Sequence, residues 1–138
     1  MTHPFCDTST LIRLITGDDA AKHARASTLF EQVEQRILSL AAPDTVIADA
    51  VFVLNSKRLY NLLRADVAAK LTTLVRLPNP HVQNREAVLR ALRLFGASSH
   101  LDFGDTQSIA QMRQSGEHTE YAYDTDFDSI LGLTRREP

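Results

Sequence analysis

Hydrophobic and polar positions along the chain follow both helical and strand-like patterns. Phe5-Cys6 is apolar and leads into Asp7 and three hydroxyl residues, which predicts a strand that ends at Asp7 and turns into a helix. Residues 20–36 carry apolar side chains near helical spacing between charged ones, which indicates a helix. Residues 37–41 are short, apolar and soon followed by Pro43, as is typical of a buried parallel strand.

The same alternation continues to the end of the chain. Further helices are predicted over 8–16, 44–59, 65–76, 85–95 and 100–114, with Gly17, Gly96 and Gly116 as helix ends. Further strands are predicted near Val82, over 120–123 and near Leu133, with a helical turn over 127–131. Strands that alternate with helices favour an α/β fold, in which a parallel sheet carries helices on both faces.

Composition is that of one ordinary globular domain covering residues 1–138. Hydrophobic residues make up 43% of the chain, and Cys6 is the single cysteine, so no internal disulfide is expected and a reducing, cytoplasmic location fits. No apolar stretch approaches the roughly 20 residues of a membrane span, and no signal peptide is expected. The net charge of -2 provides no overall attraction for nucleic acid, so such a contact would need a local basic patch.

Two aspartates directly follow predicted strands. Asp7 ends the first strand, and Asp124 ends the strand over 120–123. Ligands of open α/β sheets bind outside the carboxyl ends of the strands, so both side chains are candidates for a site. The alternatives are a turn or helix-cap role for Asp7 and a polar turn before a helix for Asp124.

Two further aspartates are expected on helices that flank this edge. Asp105 shares a helical stripe with Ile109 and Met112, and a carboxylate on a buried stripe is costly unless a positive group compensates it. Asp49 falls at the border of an apolar helix surface. The alternatives are a capping pair of Asp105 with Asp102, and a simply exposed Asp49.

A convergence of these four acids would have a definite chemical meaning. Two carboxylates about 4 Å apart repel by roughly 4 kcal/mol at an effective dielectric constant near 20, so a cluster requires protons or divalent cations. Hard oxygen ligands select Mg²⁺ or Mn²⁺. The reaction such a site supports is the in-line attack of water on a phosphodiester.

Four collinear motifs resemble those of the PIN-domain family, in the branch of VapC-type toxins of toxin–antitoxin modules. The motifs are Asp7-Thr8-Ser9, 47–54 with Arg58-Leu59-Tyr60, 101–105 and 123–127. The resemblance implies a three-layer α/β/α fold with a central, mostly parallel sheet, and Mg²⁺- or Mn²⁺-dependent endoribonuclease activity. It also implies an RNA substrate, with transfer RNA as one candidate, a homodimer and a small antitoxin partner.

The resemblance also assigns roles to individual residues. The family's acidic quartet, both catalytic and metal-binding, matches Asp7, Asp49, Asp105 and Asp124. A secondary metal-associated acid matches Asp126, and hydroxyls near the first metal match Thr8 and Ser9. The second acid of the quartet is usually Glu, so Asp49 is shorter by about one methylene. A weakly active or inactive PIN module that binds RNA or a protein is therefore the alternative function.

Basic residues near the acids are candidates for holding phosphate groups. Arg13, Lys57 and Arg58, together with Arg64, are expected to form a rim around the site. The alternative for each of them is an ordinary solvated helix side chain. An aspartate-based phosphotransfer domain is a third and weaker hypothesis, because the chain offers no matching catalytic lysine motif.

Overall fold

The computed structural model describes residues 3–138 as a mixed α/β protein. Within these residues the helices and strands, in chain order, are α1 (Thr8–Thr16), α2 (Ala20–Glu34), β1 (Leu40–Ala42), α3 (Asp44–Asn55), α4 (Arg64–Val75), β2 (Pro80–Val82), α5 (Arg85–Ala97), α6 (Phe103–Ser115), β3 (Thr119–Tyr121), a 3₁₀ helix (Thr125–Ser129) and β4 (Thr134–Arg136). No helix of the described part is long and apolar enough to cross a membrane.

All strand pairing in the described residues is parallel, as the sequence predicts. β1 pairs with β2, and on its other side Ala41 forms a single parallel bridge with Phe5. β3 and β4 form a second, separate parallel pair. The α/β class is therefore confirmed. The strands, however, form two separate pairs instead of the single parallel sheet that the sequence predicts.

Several helix ends lie where the sequence predicts them, because each depends on one local residue. Asp7 and Asp19 are the N-caps of α1 and α2, and their side chains accept backbone N–H groups of the first turn. Gly17 ends α1 with φ of 64°, and Gly116 ends α6 with φ of 81°. Both glycines adopt the left-handed conformation that residues with a Cβ rarely accept.

The prediction that Gly96 ends a helix is wrong. α5 continues through Gly96 to Ala97, and a Cβ added at Gly96 would lie 2.8 Å from the Cβ of Ala68 in α4. Glycine is therefore present because α4 and α5 approach closely at this point, which no local pattern reveals.

Two other predicted boundaries are also displaced. Ile37 does not begin a strand: its N–H donates to the carbonyl of Gln32 at 2.9 Å, and its side chain is 70% exposed. α3 ends at Asn55 instead of Leu59, because the chain turns back there and the N–H of Leu62 donates to the carbonyl of Leu54 at 2.8 Å.

The hydrophobic core consists of two clusters of different size. The main core lies between α1–α6 and the β1–β2 pair, and its fully buried side chains include Val33, Leu54, Val67, Leu71, Val88 and Leu92. The C-terminal cluster consists of Leu101, Ile109 and Phe127 with partly buried neighbours. It attaches the 3₁₀ helix and the β3–β4 pair to α6.

Candidate acidic site

Asp7 lies at the end of the first extended segment, at the N-terminus of α1. The N–H of Cys6 donates to the carbonyl of Ala41 at 2.9 Å, which aligns this segment with β1. The Asp7 carboxylate accepts the Ser9 hydroxyl at 2.8 Å and the Ser9 N–H at 3.2 Å. Both hydrogen bonds lower the pKa of Asp7, and the one from the Ser9 hydroxyl has the larger effect. Asp7 is thus a helix cap, as the alternative interpretation held, and an exposed, ionised carboxylate.

Thr8 connects the N-terminus of α1 to the first turn of α3. Its hydroxyl donates to the carbonyl of Val46 at 3.4 Å. Asp49 follows Val46 by three residues, so it lies roughly one helical turn from this contact. Its side chain is exposed, and its neighbour Phe52 is 72% exposed, as the alternative of a simply exposed Asp49 held.

Asp105 occupies the first turn of α6 and forms a reciprocal capping pair with Asp102. The Asp102 carboxylate accepts the N–H of Asp105 at 2.8 Å, and the Asp105 carboxylate accepts the N–H of Asp102 at 3.4 Å. The capping alternative is therefore present in the structure. Asp105 is also partly buried, and Ile109, one turn further along α6, is fully buried.

Asp105 and Asp124 are close enough in space to interact electrostatically. Burial raises the pKa of Asp105, and the negative charges of Asp102 and Asp124 raise it further. Asp124 is the N-cap of the 3₁₀ helix, and its carboxylate accepts the N–H of Asp126 at 2.9 Å. The charge of Asp124, from a distant segment of the chain, thus contributes to the environment of Asp105.

An ion pair holds the aspartate-rich turn that contains Asp124. Arg135 in β4 donates through Nε to the Asp128 carboxylate at 2.7 Å and through Nη1 to the carbonyl of Ala122 at 3.0 Å. Asp128 is therefore occupied by Arg135, whereas Asp126 is partly exposed beside Asp124. Sequence patterns offered no signal for this anchor, because the two partners lie on different elements.

The predicted acids can be compared with the ligands that a divalent cation requires. Carboxylate oxygens are the ligands that Mg²⁺ and Mn²⁺ prefer, so the chemistry of the predicted set fits these ions. Within residues 3–138, however, no group of three or more His, Cys, Asp or Glu side chains is spaced to hold a metal ion. Asp105 and Asp124 interact, and Asp7 and Asp49 lie on the adjoining α1 and α3 without completing a third position.

Asp44 joins three helices next to the acids, a role that the sequence did not indicate. Its carboxylate accepts the Asn84 amide at 3.0 Å and the Gln107 amide at 2.8 Å. Asn84 immediately precedes α5, and Gln107 lies in α6 two residues after Asp105. The contact fixes the N-terminal ends of α3 and α5 against the part of α6 that carries Asp105.

Arg13, a member of the predicted basic rim, forms an ion pair with a carboxylate. Its Nη1 lies 2.9 Å from Asp18, which also accepts the Tyr60 hydroxyl at 2.5 Å. The Tyr60 and Arg13 hydrogen bonds keep the pKa of Asp18 well below its usual range. Lys57 and Arg58 are exposed in the turn after α3.

Arg64, the fourth basic residue considered for the rim, is held by backbone carbonyls. Its guanidinium lies 3.8 Å from the centroid of the Phe95 ring and donates to the carbonyls of Phe95 and Leu101. Burial lowers the pKa of Arg64, but the guanidinium remains positively charged at neutral pH. Arg64 therefore supports the junction of α4, α5 and the segment before α6.

Comparison with known proteins adds no family assignment. No family model matches the chain, and a search of curated proteins gave no match. The resemblance to the PIN-domain family therefore stays a prediction from the motifs.

Proposed function

We propose that this protein is a PIN-domain endoribonuclease of the VapC type, active with Mg²⁺ or Mn²⁺. In this proposal the two parallel strand pairs belong to one central sheet of a three-layer α/β/α fold. The substrate is RNA, with transfer RNA as one candidate. The remaining partners are a small antitoxin and a second copy of the chain, and the location is the cytoplasm.

The observation that carries this proposal is the partial burial of the Asp105 carboxylate beside the Asp102 carboxylate. Burial and the negative charges of Asp102 and Asp124 disfavour its ionised form, and carboxylates perturbed in this way are concentrated at functional sites. The capping pair satisfies two backbone N–H groups, but it does not relieve the repulsion between the carboxylates. A cation bound at Asp105 would relieve it.

In the proposed site, Asp7, Asp105 and Asp124 would hold the ion, and Asp49 and Asp126 would act through water molecules. Such an ion would supply a hydroxide nucleophile at neutral pH and would stabilise the leaving oxygen of the phosphodiester. Ser9 and Thr8 orient the Asp7 carboxylate and the N-terminus of α1.

Phosphate groups of the substrate are held by exposed cations of the predicted rim. Lys57 and Arg58 are free to bind phosphate oxygens, since each is exposed at the end of α3. Arg13 contributes only after exchanging Asp18 for a phosphate. We therefore assign the larger share of substrate binding to Lys57 and Arg58.

Replacement of the acids tests the proposed activity. Asp7→Asn and Asp105→Asn are each expected to abolish Mn²⁺-dependent cleavage of RNA, as followed on denaturing gels, while circular dichroism shows a folded protein. Asp66→Asn is the matched control, because Asp66 is an exposed aspartate in α4 that is not among the proposed site residues, and it should cleave normally. Cleavage by either site variant at the parent rate would refute the assignment.

A binding module without cleavage is the second candidate. It is favoured by the exposed and short Asp49, which stands where the family usually has Glu. Calorimetric titration with Mn²⁺ distinguishes the two functions. Heat of binding that is lost in Asp105→Asn supports the nuclease, whereas RNA binding without any heat from millimolar Mn²⁺ supports the module.

A further inference from the structure

Four arginines surround an open groove on the surface of α4 and α5. The groove has a volume of about 560 Å³ and is lined by Arg76, Arg85, Glu86, Leu89, Arg90 and Arg93. We call Arg76, Arg85, Arg90 and Arg93 the arginine patch. Glu86 is the single carboxylate of the lining, so the groove is strongly positive on a chain whose net charge is -2.

Three arginines of the patch are available to a ligand. Arg85 is anchored, since its Nε donates to the carbonyl of Val75 at 3.2 Å and its Nη1 lies 3.7 Å from Glu86. Arg76, Arg90 and Arg93 are exposed, and within residues 3–138 none of them forms an ion pair. Their positive charges are therefore left largely uncompensated, since Glu86, the one carboxylate of the lining, lies beside Arg85.

The shape and chemistry of the patch favour a nucleic-acid backbone over a protein. Arg85 to Arg93 extends about 12 Å along α5, which is the axial length of roughly three to four stacked nucleotides. Guanidinium groups bind phosphate oxygens in a bidentate manner. Leu89 is the only large apolar residue in the lining, whereas a protein interface is expected to have an apolar centre.

The patch begins at the end of α5 that is attached to α6, the helix that carries Asp105. Arg85 directly follows Asn84, whose amide donates to Asp44, and Asp44 also accepts Gln107 of α6. We propose that the arginine patch binds the phosphate backbone of single-stranded RNA and continues the path of a strand whose neighbouring segment lies at Asp105. The identity of the strand as a substrate rests on the proposed nuclease function.

Binding without cleavage tests the patch. The parent and the triple variant Arg76→Gln, Arg90→Gln, Arg93→Gln are titrated into fluorescein-labelled oligouridine of about 20 nucleotides, in EDTA, with fluorescence anisotropy as the readout. The triple variant should bind at least about tenfold more weakly at about 50 mM salt. Loss of three phosphate contacts should also reduce the slope of log K against log salt by about 2, at about 0.7 per contact for single strands.

A matched control removes the same charge elsewhere. Arg36→Gln, Arg113→Gln and Arg136→Gln, three exposed positions outside the groove, should together change the affinity by less than about twofold. Equal losses in both triple variants, or none in the patch variant, would overturn the proposal. Displacement of the RNA by polyglutamate at equal charge would do the same, because it would show a general acidic-ligand surface.

The two proposals fail in different measurements. The anisotropy experiment needs no metal ion and no cleavage. If the parent protein does not cleave RNA, but the patch variant binds RNA more weakly than the parent does, only the nuclease proposal is refuted. Cleavage of short RNA with unchanged RNA binding in the patch variant would refute only the arginine patch.

Discussion

The main core and the C-terminal cluster support the candidate site very unequally. The main core is built from side chains of all six α-helices and the β1–β2 pair. The C-terminal cluster has three buried members, Leu101, Ile109 and Phe127. Asp7 and Asp49 are carried by elements of the main core, whereas Asp124 depends on the C-terminal cluster.

Asp105 lies where these two regions meet. Phe103, at the start of α6, belongs to the main core and lies edge-on to Phe95 with ring centroids 6.3 Å apart. Ile109, in the next turns of the same helix, belongs to the C-terminal cluster. Elements with little buried apolar surface open most easily. We therefore expect the position of Asp124 relative to Asp105 to depend on the C-terminal cluster, the smaller of the two.

Leu92→Ala should have the largest effect, because it creates a cavity in the main core. Leu92 is fully buried, and such a truncation costs about 2–5 kcal/mol of unfolding free energy. Urea denaturation followed by circular dichroism measures the loss. Leu131→Ala is the control, since Leu131 is 92% exposed and should cost no more than about 0.5 kcal/mol. Similar losses in the two variants would contradict the proposed core.

Phe127→Ala should separate the two regions. Phe127 is the largest side chain of the C-terminal cluster, so its removal should free residues 119–136 while the main core stays folded. We expect a smaller loss of global stability than in Leu92→Ala, but a larger loss of amide protection in 119–136, measured by hydrogen exchange. Uniform loss of protection along the chain would show that the protein unfolds as one unit.

Gly96→Ala tests the close approach of α4 and α5 inside the main core. The added Cβ would lie 2.8 Å from the Cβ of Ala68, and overpacking of this kind costs about 1–3 kcal/mol. The double variant with Ala68→Gly should recover part of this stability in urea denaturation. A stability gain in Gly96→Ala alone, as expected for an ordinary helix glycine, would contradict the contact.

Asp7→Asn and Asp105→Asn should have small effects of opposite sign at neutral pH. The lowered pKa of Asp7 means that its stabilising contribution is present above the unfolded pKa of about 3.8 and is lost as the pH falls through the folded value. The raised pKa of Asp105 means that stability falls as the pH rises from about 3.8 through its folded pKa.

Thermal unfolding at pH 7 should therefore show a lower Tm for Asp7→Asn and a higher Tm for Asp105→Asn. The difference for Asp105→Asn should shrink as the pH falls to about 3.8 and below, whereas the difference for Asp7→Asn should persist until the pH falls through the lowered pKa of Asp7. A lower Tm for Asp105→Asn at pH 7 would show that its capping of Asp102 outweighs the cost of burial.

Local features of this fold were predictable from single residues. Asp7, Asp19, Gly17 and Gly116 define helix ends because each acts on backbone groups within one turn of itself. Asp7, Asp105 and Asp124 lie at the starts of helices, and for Asp105 the capping pair with Asp102 was foreseen as an alternative.

Features that depend on a distant partner were not predictable. Gly96 has the pattern of a helix end, but the neighbouring Ala68 determines its role. Arg64 has the pattern of a surface cation, but Phe95 covers its guanidinium. Asp44 has the pattern of a helix start, and only the fold brings Asn84 and Gln107 to it.

The sequence alone determined the order of helices and strands and the acids that lie at their ends, because these follow from interactions within a few residues. Only the tertiary structure decided the surroundings of these acids: Asp105 is partly buried, while Asp49 is exposed. The physical reason is that burial and charge–charge repulsion depend on distance in space, and packing of the two cores sets those distances.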